Sequence, residues 1–84
     1  MYEVHLERAA ERDLRRLSAQ DFTRIVAHVQ ALEENPRPPS CRKIIGSRND
    51  WRMRVVDYRV IYEIDDNAMV VRVLRIRHRR DAYR

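Results

Sequence analysis

At 84 residues the chain is long enough for one domain and no more, read as 1–84. No apolar run reaches the roughly 18 residues a membrane helix needs. Its single cysteine, Cys41, excludes an internal disulfide.

Hydrophobic residues make up 44%, enough for a core, and the net charge is +5. A domain this short buries only about 60–65% of its unfolded surface, so modest stability is expected. Charges break up the N-terminus at Glu3, Glu7 and Arg8, so no signal peptide is expected, and the lone Cys41 fits an expected cytoplasmic location. The charge is unevenly placed. Residues 1–40 hold six arginines against seven acids, a net of −1. Residues 41–84 hold twelve basic residues against six acids, a net of +6. A surplus confined to one half points to a localised anionic partner. Only Lys43 among the 18 basic residues is lysine, and arginine's planar fork suits bidentate phosphate contact.

The N-terminal residues Tyr2, Glu3, Val4, His5, Leu6 and Glu7 alternate apolar with polar, which predicts a short strand. Ala10, Leu14 and Leu17 recur at helical spacing and predict a helix over 8–17. Ser18 is the candidate N-cap of a second helix. Its apolar stripe is Phe22, Ile25, Val26, Val29 and Leu32. Pro36, Pro38 and Pro39 stop that helix. The very short link makes the two helices antiparallel neighbours.

The period then changes. A short strand is predicted over 42–45, followed by a turn over 46–50. Trp51, Met53 and Val55 share one face of the next strand, with Arg52, Arg54 and Val56 on the other. After a turn at Asp57, Tyr58, Val60, Tyr62 and Ile64 oppose Arg59, Ile61 and Glu63. A hairpin turn at Asp65, Asp66 and Asn67 leads to a last strand over 69–76. The expected architecture is α+β: a short N-terminal strand, a two-helix antiparallel hairpin, then an antiparallel sheet of three to four strands. The helices would cover one face and leave the other partly open.

The open face carries the chemistry. Arg52 and Arg54 leave one strand in the same direction, and a short turn brings Arg59 close. Clustered arginines are costly without partners, so they should meet solvent or an anion. A solvated face with scattered ion pairs accounts for them equally well. The tail adds His78, whose side-chain type titrates near neutrality, and Tyr83, a phenol. Arg77, Arg79, Arg80 and Arg84 surround both. RNA cleavage needs a base for the 2′-hydroxyl, an acid for the leaving oxygen and positive charge for the phosphate. His or Tyr with several Arg meets that need without a metal. Lys43, Arg48, Arg77 and Arg80 are further candidates for substrate binding. No cofactor is expected: His5, His28 and Cys41 lack metal-ligand spacing, and one glycine cannot build a phosphate loop. Trp51 and Tyr62 read as core, and Asp65 and Asp66 as turn residues.

These residues resemble the RelE-type toxins of the RelE/ParE superfamily. The resemblance runs from the Tyr2-x-Val4-x-Leu6 opening through Ala9-Ala10-x-x-Asp13-Leu14-x-x-Leu17 and Asn35-Pro36-Arg37-Pro38. Its most specific parts are the stretch from Trp51 to Tyr62 and the ending His78-Arg79-x-Asp81-Ala82-Tyr83-Arg84. It implies a toxin of a type II toxin–antitoxin module that cuts mRNA in the ribosomal A site by metal-independent 2′-hydroxyl attack. Its partners would be the ribosome, mRNA and an acidic RelB-like antitoxin, with operator DNA reached only through the antitoxin complex and no membrane. The family's basic strand pair matches Arg52 and Arg54, its transition-state arginine Arg59, its penultimate basic position Arg79 and its tyrosine Tyr83. Two departures stand out. Both strand-pair positions are arginine, which cannot act as a base at neutral pH. The base must then come from Tyr83, His78 or the ribosome. The ending at Arg84 also leaves little room for a C-terminal helix. A ParE-like inhibitor of DNA gyrase and a non-catalytic RNA- or antitoxin-binding member are the alternatives.

Overall fold

The computed structural model describes residues 1–81. In chain order it holds β1 (Glu3–Leu6), α1 (Arg8–Arg15), α2 (Ala19–Ala31), β2 (Cys41–Lys43), β3 (Asp50–Val55), β4 (Tyr58–Asp65) and β5 (Val70–His78). The strands form one five-stranded sheet in the order β1-β5-β4-β3-β2. β2 to β5 are the expected antiparallel run, and β1 adds a fifth strand, parallel to β5.

Helix α1 buries Ala10 and Leu14, one turn apart, and closes two residues earlier than its apolar spacing suggests. There the N–H groups of Arg16 and Leu17 turn back onto the carbonyls of Asp13 and Leu14. Ser18 caps α2 as expected, its hydroxyl accepting from the Asp21 N–H at 3.2 Å. Ile25, Val29 and Leu32 of the α2 stripe are buried, whereas Phe22 is 43% exposed. Both helices join one core with Met53, Val55, Val60, Tyr62, Ile64, Val71, Val73 and Ile76 of the sheet.

The strand ends differ from the sequence reading. β3 takes in Asp50 and closes at Val55, so Val56 falls in the turn instead of on the outer face, β4 runs through Asp65, and β5 begins at Val70, not Met69. β2 covers 41–43, not 42–45, and Ile45 projects fully into solvent. β5 runs on through His78 instead of stopping at Ile76, because β4 offers Arg59 and Tyr58 as partners for Arg77 and His78. A bulge lies between these register segments. Val73 pairs Tyr62 and Arg75 pairs Ile61, so Leu74 is the extra residue. An extra residue exchanges the two faces of a strand. Val71 and Val73 face the core before it, and Ile76 does so after it.

Two contacts tie the proline loop down. The buried Tyr62 hydroxyl donates to the Pro36 carbonyl at 2.8 Å. Arg37 lies 5.0 Å over the Trp51 ring and forks onto Asp66, which also accepts from the Tyr2 hydroxyl. Asp66 is thus a turn residue with a fastening role. Those bonds hold its carboxyl below the usual range, Arg37 contributing most.

The turn between β3 and β4 is strained. It is a two-residue turn, because Val55 pairs Tyr58, and Val56 adopts φ +56°. That region is unfavourable for a β-branched residue. Asparagine tolerates it, and Val56 is 46% exposed, so little packing is lost. Val56→Asn is expected to stabilise the fold by about 1 kcal/mol, a Tm rise of roughly 4–8 °C. A melt at or below the wild-type Tm would contradict this.

Candidate functional site

The face of the sheet away from the helices carries a row of arginines set by strand register. Arg42 pairs Arg52 across β2 and β3, Arg54 pairs Arg59 across β3 and β4, and Arg59 pairs Arg77 across β4 and β5. Like charges opposite each other destabilise a sheet. Three such pairs side by side are a cost that folding does not require. Ser40, Arg42, Arg52, Arg54 and Arg59 line a cleft of about 220 Å³ on this face.

Arginines elsewhere on the sheet have acidic partners. Arg72 meets Glu63 at 2.8 Å, and Arg75 meets Asp13 at 2.9 Å. Among the described residues, no carboxylate pairs with Arg52 or Arg54. Arg42 donates, among the described residues, to the carbonyls of Pro39 (3.1 Å) and Cys41 (2.8 Å), which steers its guanidinium without neutralising it. A concave site with several forked donors, two of them (Arg52 and Arg54) with no carboxylate beside them among the described residues, fits an oxyanion such as a phosphodiester.

Arg52, Arg54 and Arg59 therefore come together as the alternation of β3 and β4 implied. Arg42 is an addition. Its signal was its parity with the buried Cys41, which sends Arg42 to the face opposite the core. Arg77 joins the row through the β5 bulge. Lys43 pairs Trp51 and so lies on the other face, and Arg48 is exposed in the loop after β2. Neither lines the cleft.

His78 does not join the arginines. It pairs Tyr58 on the helix side of the sheet, and their rings meet edge to face at 5.2 Å. Its Nδ1 accepts from the Arg80 N–H at 3.2 Å. Burial raises the Tyr58 phenol above its usual range, with Asp21, Asp57 and Asp81 adding to the effect, so Tyr58 is a poor base. Arg79 is anchored to the β3–β4 turn. Its N–H donates to the Asp57 carbonyl at 2.7 Å, and its guanidinium is 3.8 Å from the Asp57 carboxylate. Arg80 is exposed. Tyr83 lies outside the described residues.

Among those residues no group of three His, Cys, Asp or Glu side chains could hold a metal ion. No helix there is long and apolar enough to cross a membrane.

This architecture, two helices packed on one face of a five-stranded sheet, is the fold of the RelE toxins. It is similar to the toxin fold in the archaeal RelE–RelB complex from Pyrococcus horikoshii, with TM-score 0.84, 26% identity and coverage of 93% of this chain and 94% of that one. The RelBE2 toxin–antitoxin complex from Mycobacterium tuberculosis gives 0.82, 26%, 92% and 96%. The intact E. coli RelBE complex gives 0.81, 20%, 93% and 96%, a likeness of fold. Comparison with curated proteins finds no match. The model of the family described as "ParE toxin of type II toxin-antitoxin system, parDE" matches residues 4–83, and the chain belongs to that family. It is a type II toxin of the RelE/ParE superfamily.

Proposed function

We propose that this toxin is a ribosome-dependent mRNA endonuclease. The observation that carries this is the cleft, where Arg52 and Arg54 stand opposite other cations with no acid beside them among the described residues. The 2′-oxygen attacks the adjacent phosphorus, the bond to the 5′-oxygen breaks, and a 2′,3′-cyclic phosphate is left. The 2′-hydroxyl proton passes to a base, and the leaving 5′-oxygen takes one up. Arg52, Arg54 and Arg59 hold the phosphate and stabilise its added charge, with Arg42 and Arg77 at either end of the row. No metal or cofactor takes part.

Arginine cannot take the proton. The contact of His78 with Tyr58, on the opposite face, favours Tyr83 or a ribosomal group as the proton carrier. Asparagine at 78 keeps an acceptor close to the place of Nδ1 and cannot shuttle protons. His78→Asn is therefore expected to cut within a few-fold of wild type. A loss of roughly 10²-fold or more, the usual size of an acid–base contribution, would return His78 to the proton chemistry.

The complexes of similar toxins with RelB support an antitoxin partner here, and the net +6 of residues 41–84 suits an acidic segment. Operator DNA would be reached only through that complex, in the cytoplasm. The match to the ParE family model favours a second reading, inhibition of DNA gyrase. Primer extension on translated mRNA after induction separates the two. Breaks within codons at the A site are expected. Intact mRNA with double-strand DNA damage would establish the gyrase reading instead.

A further inference from the structure

A second basic hollow lies beyond the edge of the arginine cleft. β1 pairs with β5 only as far as Val73, so the rest of that β5 edge has no strand beside it. Helix α1 covers it instead. Asp13 reaches over to accept from the Ile76 N–H at 2.9 Å and from Arg75 at 2.9 Å and 3.3 Å. Ala9, Arg12, Asp13, Arg16 and Arg75 enclose a hollow of about 100 Å³. Three arginines against one aspartate leave it at about +2.

Its geometry is prepared. Asp13 uses the Nε and Nη2 side of Arg75 and leaves Nη1 free of that pairing. Arg16 is near enough to help hold the Asp13 carboxyl low. Arg12 is exposed, and no carboxylate pairs with it among the described residues. Arg15, by contrast, is paired with Glu11 at 3.5 Å.

The hollow continues the cleft. Arg75 and Arg77 share the open face of β5, two residues and therefore about 7 Å apart. Arg77 pairs Arg59. The row thus runs from Arg59 through Arg77 and Arg75 to Arg12 and Arg16. A protein partner would need an apolar anchor, and this hollow offers only Ala9. The groove of Val4, Leu6, Leu14, Val26 and Val29 has apolar walls, and it is lined by different residues.

We infer that Arg12, Arg16 and Arg75 form a second phosphate site, which grips the backbone of the RNA strand whose scissile phosphate occupies the cleft. The inference rests on the RNA-cutting reading of that cleft. Contacts of this kind position a strand without reading its sequence.

The test is Arg12→Gln/Arg16→Gln, two exposed changes to a good helix former. Binding of a short fluorescein-labelled single-stranded RNA to the purified toxin is followed by anisotropy across a salt series. Affinity is expected to fall roughly tenfold, and the slope of log affinity against log salt to lose about 1.4, or about 0.7 for each of two lost phosphate contacts. KM for programmed ribosomes should rise roughly tenfold, with kcat held within about twofold. Arg15→Gln should match wild type throughout. Wild-type affinity and slope in the double variant would overturn the site. So would an effect seen only with an acidic peptide. A wild-type toxin that binds this RNA through these arginines yet cuts no mRNA would leave the site standing and remove the cleavage reading.

Discussion

Arg54→Gln is expected to lower mRNA cleavage about 10²-fold and at the same time to raise Tm by about 2–4 °C. The two effects have one cause. Arg54 faces Arg59 across the strands, a like-charge pair that costs about 0.5 kcal/mol when no anion lies between. When a phosphate occupies the cleft the same charge stabilises it, and loss of one donor to a developing oxyanion costs about 10²-fold or more. Arg59→Ala is expected to lose at least as much activity, since Arg59 pairs both Arg54 and Arg77. Single-turnover cleavage of programmed ribosomes gives the first number and calorimetry the second. An Arg54→Gln protein that cuts normally would remove the cleft from the mechanism. One that is inactive and less stable would make Arg54 a structural residue. Inorganic phosphate should raise the Tm of wild type more than that of the variant, because it binds only the folded cleft.

The largest effect on stability is expected at Asp13. Its side chain is 11% exposed and accepts three hydrogen bonds, two from Arg75 and one from the Ile76 N–H. Asp13→Ala leaves that N–H unpaired and Arg75 without its acid. The expected cost is about 2–3 kcal/mol, a Tm loss of roughly 10–20 °C. Asp13→Asn keeps an acceptor and should cost less. The carboxyl also gives the fold an acid limb. Burial pushes it up, but Arg75, the Ile76 N–H and Arg16 outweigh burial and hold it below its usual range. The unfolded chain therefore binds this proton more tightly than the folded one. The stabilisation is complete above about pH 4 and disappears as pH falls through the lower folded value. Asp66 is shifted the same way, but its side chain is 55% exposed, so solvent screens its contribution. The Tm gap between wild type and Asp13→Asn should accordingly narrow below pH 4. A gap that stays constant down to pH 2 would show that Asp13 acts through hydrogen bonding alone.

Much of this molecule can be read from local pattern. The alternation of Trp51, Met53 and Val55 with Arg52 and Arg54 assigns the β3 faces, because side chains in a strand repeat every two residues. The same rule places Arg59 opposite Tyr58 and Val60. Ser18 and the three prolines bound α2 through capping and missing donors, which are properties of the residues themselves. Two helices followed by a sheet, with the basic face turned away from the core, follow from those patterns.

The last strand is different. Alternation counted onward from Val71 and Val73 would send Arg75 and Arg77 into the core and leave His78 with the open face. The bulge at Leu74 exchanges those faces. Its reason is tertiary: Ile76 reaches the core beside Val60, and the Arg75 and Ile76 positions meet Asp13 on α1, 62 and 63 residues away in sequence. The parallel docking of β1 on β5 is decided in the same way, since no local signal reports which strand edge stays open. Local alternation alone establishes a basic sheet face that carries Arg52, Arg54 and Arg59. That Arg77 extends the row while His78 leaves it depends on the long-range pairing around the Leu74 bulge, because one extra residue in a paired strand reverses every side chain after it.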